Sequence, residues 1–147
     1  MPGIARATVT CVTLGAPDPR ALARFYRDLL DLTVTEDSPE WVVLRDPQSR
    51  FRIAFQAEPL QERPVWPGVA GQQQMMAHLE IRVDDLDEAE ARARELGAVR
   101  ADFQPQPDVR VCLDPVGRPF CLYLDDAPED SPSPPFAPVS WGGDTGT

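Results

Sequence analysis

The chain carries an approximate copy of itself. Cys11-Val12-Thr13-Leu14-Gly15-Ala16-Pro17-Asp18 is echoed by His78-Leu79-Glu80-Ile81-Arg82-Val83-Asp84-Asp85, and Arg45-Asp46-Pro47-Gln48-Ser49-Arg50 by Leu113-Asp114-Pro115-Val116-Gly117-Arg118. The offset is roughly 67 residues in both cases. A period this long makes each copy a whole supersecondary unit rather than a rung of a solenoid. Two such units can pair and leave a cleft between them. The sole histidine opens one copy and a cysteine takes its place in the other, so function is expected along that cleft.

Within each copy the residue pattern changes from strand-like to helix-like and back. Thr8 to Leu14 is rich in β-branched residues and reads as a buried strand. Pro19 near a helix start, with Asp18 as its cap, precedes Leu22, Phe25, Tyr26, Leu29 and Leu30 at helical spacing. Asp31 stands where the other copy has Gly97, a helix-ending position that calls for a left-handed backbone. Strands are expected over 32–36, 40–45 and 51–56 around a turn at 46–50. The second copy repeats the order: a strand over 77–83, a helix over 86–96, a weaker strand over 99–103, and a pair over 109–113 and 120–124. The order is βαβββ, twice. Module one is placed at 7–57, a connector rich in Pro, Gln and Gly at 58–75, and module two at 76–125, within one domain over 1–126. Residues 127–147, rich in Pro and Gly, read as a mobile tail.

Composition removes several classes of function. A formal net charge of −10, spread without a long run of one sign, argues against nucleic acid and anionic membrane surfaces as partners. No segment approaches the ~18 uninterrupted apolar residues of a membrane helix, and the first residues lack the pattern of a secretion signal, so a bacterial-type cytoplasmic protein is expected. Three cysteines without a CxxC argue against a disulfide framework. The chain has no lysine, which excludes Schiff-base chemistry and a Walker-type phosphate site. No GxSxG occurs, and a single histidine leaves little room for a nucleophile triad.

Three stretches carry a family resemblance. Phe25-Tyr26-Arg27-Asp28-Leu29-Leu30-Asp31-Leu32 is similar to a "FYxxxLGL" helix end. Val83-Asp84-Asp85-Leu86-Asp87 leads into a helix ending Leu96-Gly97-Ala98, and Asp114-Pro115-Val116-Gly117-Arg118-Pro119-Phe120 leads into the last strand. In this order the chain resembles the vicinal oxygen chelate superfamily of glyoxalase I, bleomycin-resistance proteins and extradiol dioxygenases. Ile53-Ala54-Phe55-Gln56 and Phe120-Cys121-Leu122 look most like its glyoxalase-like branch. The resemblance implies an α+β fold of two tandem βαβββ modules with curved mixed sheets enclosing a cleft, and a homodimer. In metal-using members one side chain comes from the first and one from the last strand of each module. Carried over by spacing, seven residues before Asp18 and Asp85 and seven after the turn aspartates Asp46 and Asp114, these positions are Cys11, Ile53, His78 and Cys121, of which only His78 conforms to the family's usual His, Gln or Glu.

Strand parity supports the same face independently. Side chains alternate with period 2. With Leu79, Ile81 and Val83 toward the helices, His78, Glu80 and Arg82 face the cleft, as do Cys11 and Thr13 in the first copy and Cys121 and Tyr123 in the last strand. Three readings follow. In the first, a small organic molecule binds without chemistry and without the usual metal site, with Ile53, Phe55, Trp41, Trp66 and Tyr123 as walls, Thr13 beside them, and His78, Glu80 and Arg82 as anchors. In the second, His78 and Glu80 move a proton on a carbonyl compound. In the third, a metal-dependent lyase, isomerase or dioxygenase-type enzyme uses His78 with Cys11 and Cys121, a set suited to zinc. No cofactor is favoured, because hard ions would not choose two thiolates and a free cysteine ordinarily behaves as a small buried hydrophobe.

Overall fold

The computed structural model describes residues 6–124. The tail expected beyond residue 126, with Phe136 and Trp141, lies outside the described residues. Ten elements follow in order: β1 (Val12–Ala16), α1 (Pro19–Leu30), β2 (Thr33–Asp37), β3 (Trp41–Arg45), β4 (Arg52–Ala57), β5 (Leu79–Arg82), α2 (Leu86–Glu95), β6 (Val99–Arg100), β7 (Val109–Leu113) and β8 (Pro119–Tyr123). They form two four-stranded mixed sheets, ordered β1-β4-β3-β2 and β5-β8-β7-β6. In each, the first strand runs parallel to the last and the remaining pairs are antiparallel. The molecule is an α+β protein of two tandem βαβββ modules.

The helices start and stop where side-chain chemistry says they should. Asp18 accepts a hydrogen bond from Ala21 N at 3.0 Å with Pro19 beside it, and Asp85 accepts one from Glu88 N at 2.9 Å. Each satisfies one of the orphan donors of a first turn. Helix α1 ends on Asp31 at φ 54°, and Gly97 occupies the matching place after α2 at φ 116°. Asp tolerates the left-handed conformation that glycine takes freely. Strand β1 starts at Val12 rather than Thr8, so Cys11 lies one residue ahead of it, as His78 lies one ahead of β5.

The modules share one core. Leu14 and Ala16 of β1, Val42 and Leu44 of β3, Ile53 and Phe55 of β4, and Cys112, Phe120 and Leu122 of the second sheet are buried with Leu22, Phe25 and Tyr26 of α1. Tyr26 stacks on Phe55 at 5.8 Å and meets Phe120 at 6.2 Å, and Phe25 lies 5.9 Å from Phe120. Burying such a side chain is worth about 1.5–3 kcal/mol. Because the rings come from both modules, neither half keeps that stabilisation alone.

A polar strut reinforces the junction. Tyr26 Oη donates to Asp114 Oδ2 at 2.7 Å, and Arg118 Nη2 donates to the Gly15 carbonyl at 2.9 Å. Asp114 also accepts from the Val116 and Arg118 amides, which shapes the β7–β8 turn. Its counterpart Asp46 shapes the β3–β4 turn through Gln48 N and Ser49 Oγ but is not buried. No helix of the described residues is long and apolar enough to cross a membrane.

Candidate functional site

Strand β5 is only four residues long, yet its parity is firmly set. Leu79, Ile81 and Val83 pack on the core, which turns His78, Glu80 and Arg82 to the face away from the helices, here called the open face. Strand β8 lies alongside in parallel register, with Glu80 opposite Cys121 and Arg82 opposite Tyr123. Phe120 and Leu122 are wholly buried on the helix side, so Cys121 and Tyr123 join the open face. Val111 of β7, paired with Cys121, forms the apolar floor beside them.

This geometry gathers three different donors. His78 Nε2 lies 2.6 Å from Glu80 Oε1, and the Cys121 thiol hydrogen-bonds the same glutamate. One nitrogen, one oxygen and one sulfur of the three residues lie within 4.8 Å of one another. About a third of the His78 and Glu80 side chains is open to solvent, 34 % and 30 %, while Cys121 is half-buried. The hydrogen bond to Glu80 raises the His78 pKa above the ordinary imidazole value, against the opposing effect of burial. Burial, then the Glu80 charge and hydrogen bond, push the Cys121 thiol up to about 12. The thiol is therefore protonated at neutral pH and serves as a donor to the carboxylate. As a unit the cluster offers an imidazole and a carboxylate to a ligand above it, with a sulfur beneath.

The first sheet presents a different set at matched positions. Its register pairs Val12 with Ile53 and Thr13 with Ala54, as the second pairs Leu79 with Phe120 and Glu80 with Cys121. Cys11, Thr13 and Ala54 thus stand where module two has His78, Glu80 and Cys121. Cys11 lies outside the donor cluster; its Sγ donates to the Val12 carbonyl at 3.5 Å. Val43 is paired with Ala54 and Trp41 with Gln56.

Two expected pocket walls lie elsewhere. Ile53 and Phe55 are wholly buried in the core, on the helix side of β4. The loop between β3 and β4 spans 46–51, six residues, whereas that between β7 and β8 spans 114–118, five. Counting seven residues from each turn aspartate therefore lands one residue short in module one, and a one-residue slip moves a side chain to the other face. Ala54 is the true counterpart of Cys121. The constant offset between the first strands and the last strands of the two copies carries this information, whereas the offset between the turns does not. Of the other expected residues, Thr13 and Trp41 belong to the open face of the first sheet, with the Trp41 indole donating to Glu36 at 3.1 Å. Trp66 of the connector packs on Phe103 at 5.8 Å. Cys112 is in the core, its thiol raised to about 11 by burial.

A hollow of about 900 Å³ is lined by Ala91, Arg94 and Glu95 of α2 and by Ala98 to Asp102 around β6. Of its lining, Arg100 donates at 3.0 Å to Glu90, which also accepts from Arg110 at 2.6 Å. Chemistry, rather than concavity, locates the candidate site at His78, Glu80 and Cys121.

A family model for the glyoxalase-like domain matches residues 11–123, from Cys11 to the end of β8. The chain belongs to the glyoxalase-like domain family. Solved structures of similar fold agree. A glyoxalase/bleomycin resistance protein/dioxygenase family enzyme from Burkholderia phytofirmans PsJN is 20 % identical, covers 80 % of this chain and 98 % of its own, and has a TM-score of 0.60. Lactoylglutathione lyase from Agrobacterium tumefaciens is 18 % identical over 81 % and 94 % of the two chains, with a TM-score of 0.54. TnmS3, an antibiotic binding protein from Streptomyces sp. CB03234, is 18 % identical over 83 % and 98 %, also at 0.54. No curated protein matches the chain. This glyoxalase-like chain is thus a member of the vicinal oxygen chelate superfamily. The superfamily's usual metal site, which draws ligands from both modules, does not fit it. Ala54 has no donor atom, and the neighbouring positions in module one hold a cysteine and a threonine.

Proposed function

We propose that this glyoxalase-like protein binds a small organic molecule in the cleft bounded by the open face of module two, with the His78–Glu80 pair as its polar anchor. The observation that carries this reading is the hydrogen-bonded pair itself, partly exposed on a sheet face beside apolar Val111 and the Tyr123 ring. Ligand sites commonly combine apolar lining with a few fixed polar groups. A carboxylate that locks an imidazole makes a directional contact for a hydroxyl, carbonyl or anionic group. Arg82 and Tyr123 border the anchor, and Thr13, Trp41 and Trp66 supply further wall. The working unit in this reading is a cytoplasmic homodimer, in which the edge strands β1 and β5 gain partners.

The fold hosts both a lyase and an antibiotic-binding protein among its relatives, and so does not choose between turnover and sequestration. The first reading rests on module one, which contributes no carboxylate or imidazole at the matched positions. A thermal-shift screen of chelator-treated protein against metabolites and antibiotics tests it, because stabilisation grows with occupancy. The expected result is a raised Tm with a subset of compounds, abolished in His78→Ala and weakened in Glu80→Gln. Stabilisation equal in wild type and both variants would refute it. Turnover lost in His78→Ala with binding retained would instead establish proton transfer.

A further inference from the structure

We infer that module two by itself holds a thiophilic divalent cation, of the zinc class, through His78, Glu80 and Cys121. The inference deepens the reading above, since it concerns the same open face, but it is tested separately. Its basis is the disagreement between the superfamily's two-module ligand set and the donors this chain gathers. Three donors of different chemistry converge within 4.8 Å: His78 from the residue just ahead of β5, and Glu80 of β5 in register with Cys121 of β8. Bonds of about 2.0–2.3 Å to nitrogen, oxygen and sulfur in a tetrahedral site set ligand atoms roughly 3.3–3.8 Å apart. The His78–Glu80 separation of 2.6 Å and the outer limit of 4.8 Å bracket that spacing, so small side-chain movements suffice.

Glu80 is the residue that makes the set. It is two positions along from His78, which precedes β5, and opposite Cys121 on β8, so it touches both. Without a cation its carboxylate is held by the imidazole and the thiol. With one, the metal takes the place of the shared protons. Nitrogen, oxygen and sulfur each form one bond to the ion. The S–H bond of Cys121 breaks, and the proton that His78 Nε2 shares with Glu80 leaves that nitrogen, so that the neutral imidazole carries its proton on Nδ1. The displaced protons pass to solvent with no change of oxidation state. The sulfur donor selects against magnesium, calcium and manganese, which prefer all-oxygen sites. Three protein donors on a partly exposed face leave a fourth position open, the arrangement of sites that admit an exogenous oxygen or nitrogen ligand.

The test is titration of chelator-treated protein with cobalt(II) alone, followed by competition with zinc(II). The expected result is one cobalt per chain with a thiolate-to-cobalt charge-transfer band in the near ultraviolet, displaced by zinc and not by magnesium. Cys121→Ser should abolish the band and Cys11→Ser should leave it intact. His78→Ala, at a side chain about a third open to solvent, should weaken cobalt binding by about 100-fold or more, at or beyond the upper end of what losing a merely supporting group costs. Absence of the band in folded wild-type protein would overturn the inference. So would a band that survives Cys121→Ser or vanishes in Cys11→Ser. If cobalt fails while organic compounds still raise the Tm of chelator-treated protein, the cation site is wrong and the ligand-binding reading stands. If cobalt binds and no compound does, the reverse holds.

Discussion

Where module two sets Glu80 against Cys121, module one sets Thr13 against Ala54, and where His78 precedes β5, Cys11 precedes β1. The two scaffolds match strand for strand, yet one open face gathers an imidazole, a carboxylate and a thiol while the other offers a hydroxyl, a methyl group and a lone thiol. Their helix-side faces, by contrast, are both apolar and merge into one core. The repeated pattern therefore preserves what folding needs on one side of each sheet and leaves the other side free to differ. Function in such a pair need not be symmetric, and here the chemistry collects in one half.

Substitutions can break this contrast or sharpen it. The largest effect is expected on the helix side. Phe55→Ala should cost about 3–5 kcal/mol, and Ile53→Ala about 2–5, measured by urea denaturation. Tolerance of either would mean that the β4 register is wrong and that those side chains do line an open pocket. Tyr26→Phe should come next, at about 1–3 kcal/mol, because it removes a buried donor from Asp114.

The same strut gives a pH dependence of known sign. Burial holds the Asp114 carboxyl above the ordinary range, although Tyr26 and Arg118 pull it down. The folded state then keeps a proton that the unfolded chain has released. The stability linked to this group is fully present below the ordinary carboxylate pKa of about 4 and is lost as pH rises through the raised native value. Asp114→Asn should flatten that part of the Tm-against-pH curve, and an unchanged slope would assign the dependence to other groups.

Smaller effects test the open faces. Transplanting the cluster as Cys11→His, Thr13→Glu and Ala54→Cys should raise cobalt stoichiometry from one to two per chain. No gain in a folded triple variant would show that more than strand register defines the site. Smallest of all, His78→Ala should change stability by less than about 1 kcal/mol, since its partner is partly solvated. A larger loss would make the pair structural rather than functional.

Much of this was legible in the residues. The helix caps Asp18 and Asp85, the left-handed Asp31 and the alternation along β5 all follow from local rules, and local rules also placed His78 and Glu80 on one face. The partnership of Glu80 with Cys121 needed the parallel pairing of β5 with β8, which joins residues far apart in sequence. The misplacement of Ile53 came from a single extra residue in one turn, a change invisible to motif spacing but decisive for which way a strand side chain points. The strut from Tyr26 to Asp114 was also hidden, because both residues already had local explanations as a helix residue and a turn former.

One measurement bears most directly on whether module two's open face is the working surface. The chain has a single histidine, so its Cε1–H gives one unambiguous proton–carbon resonance. That resonance should be followed while the untagged protein is titrated with whichever compound stabilises it most in the thermal screen. A saturable shift, with the same midpoint as the rise in Tm, is the expected result. A compound that binds and stabilises the protein while the His78 resonance stays still would contradict it.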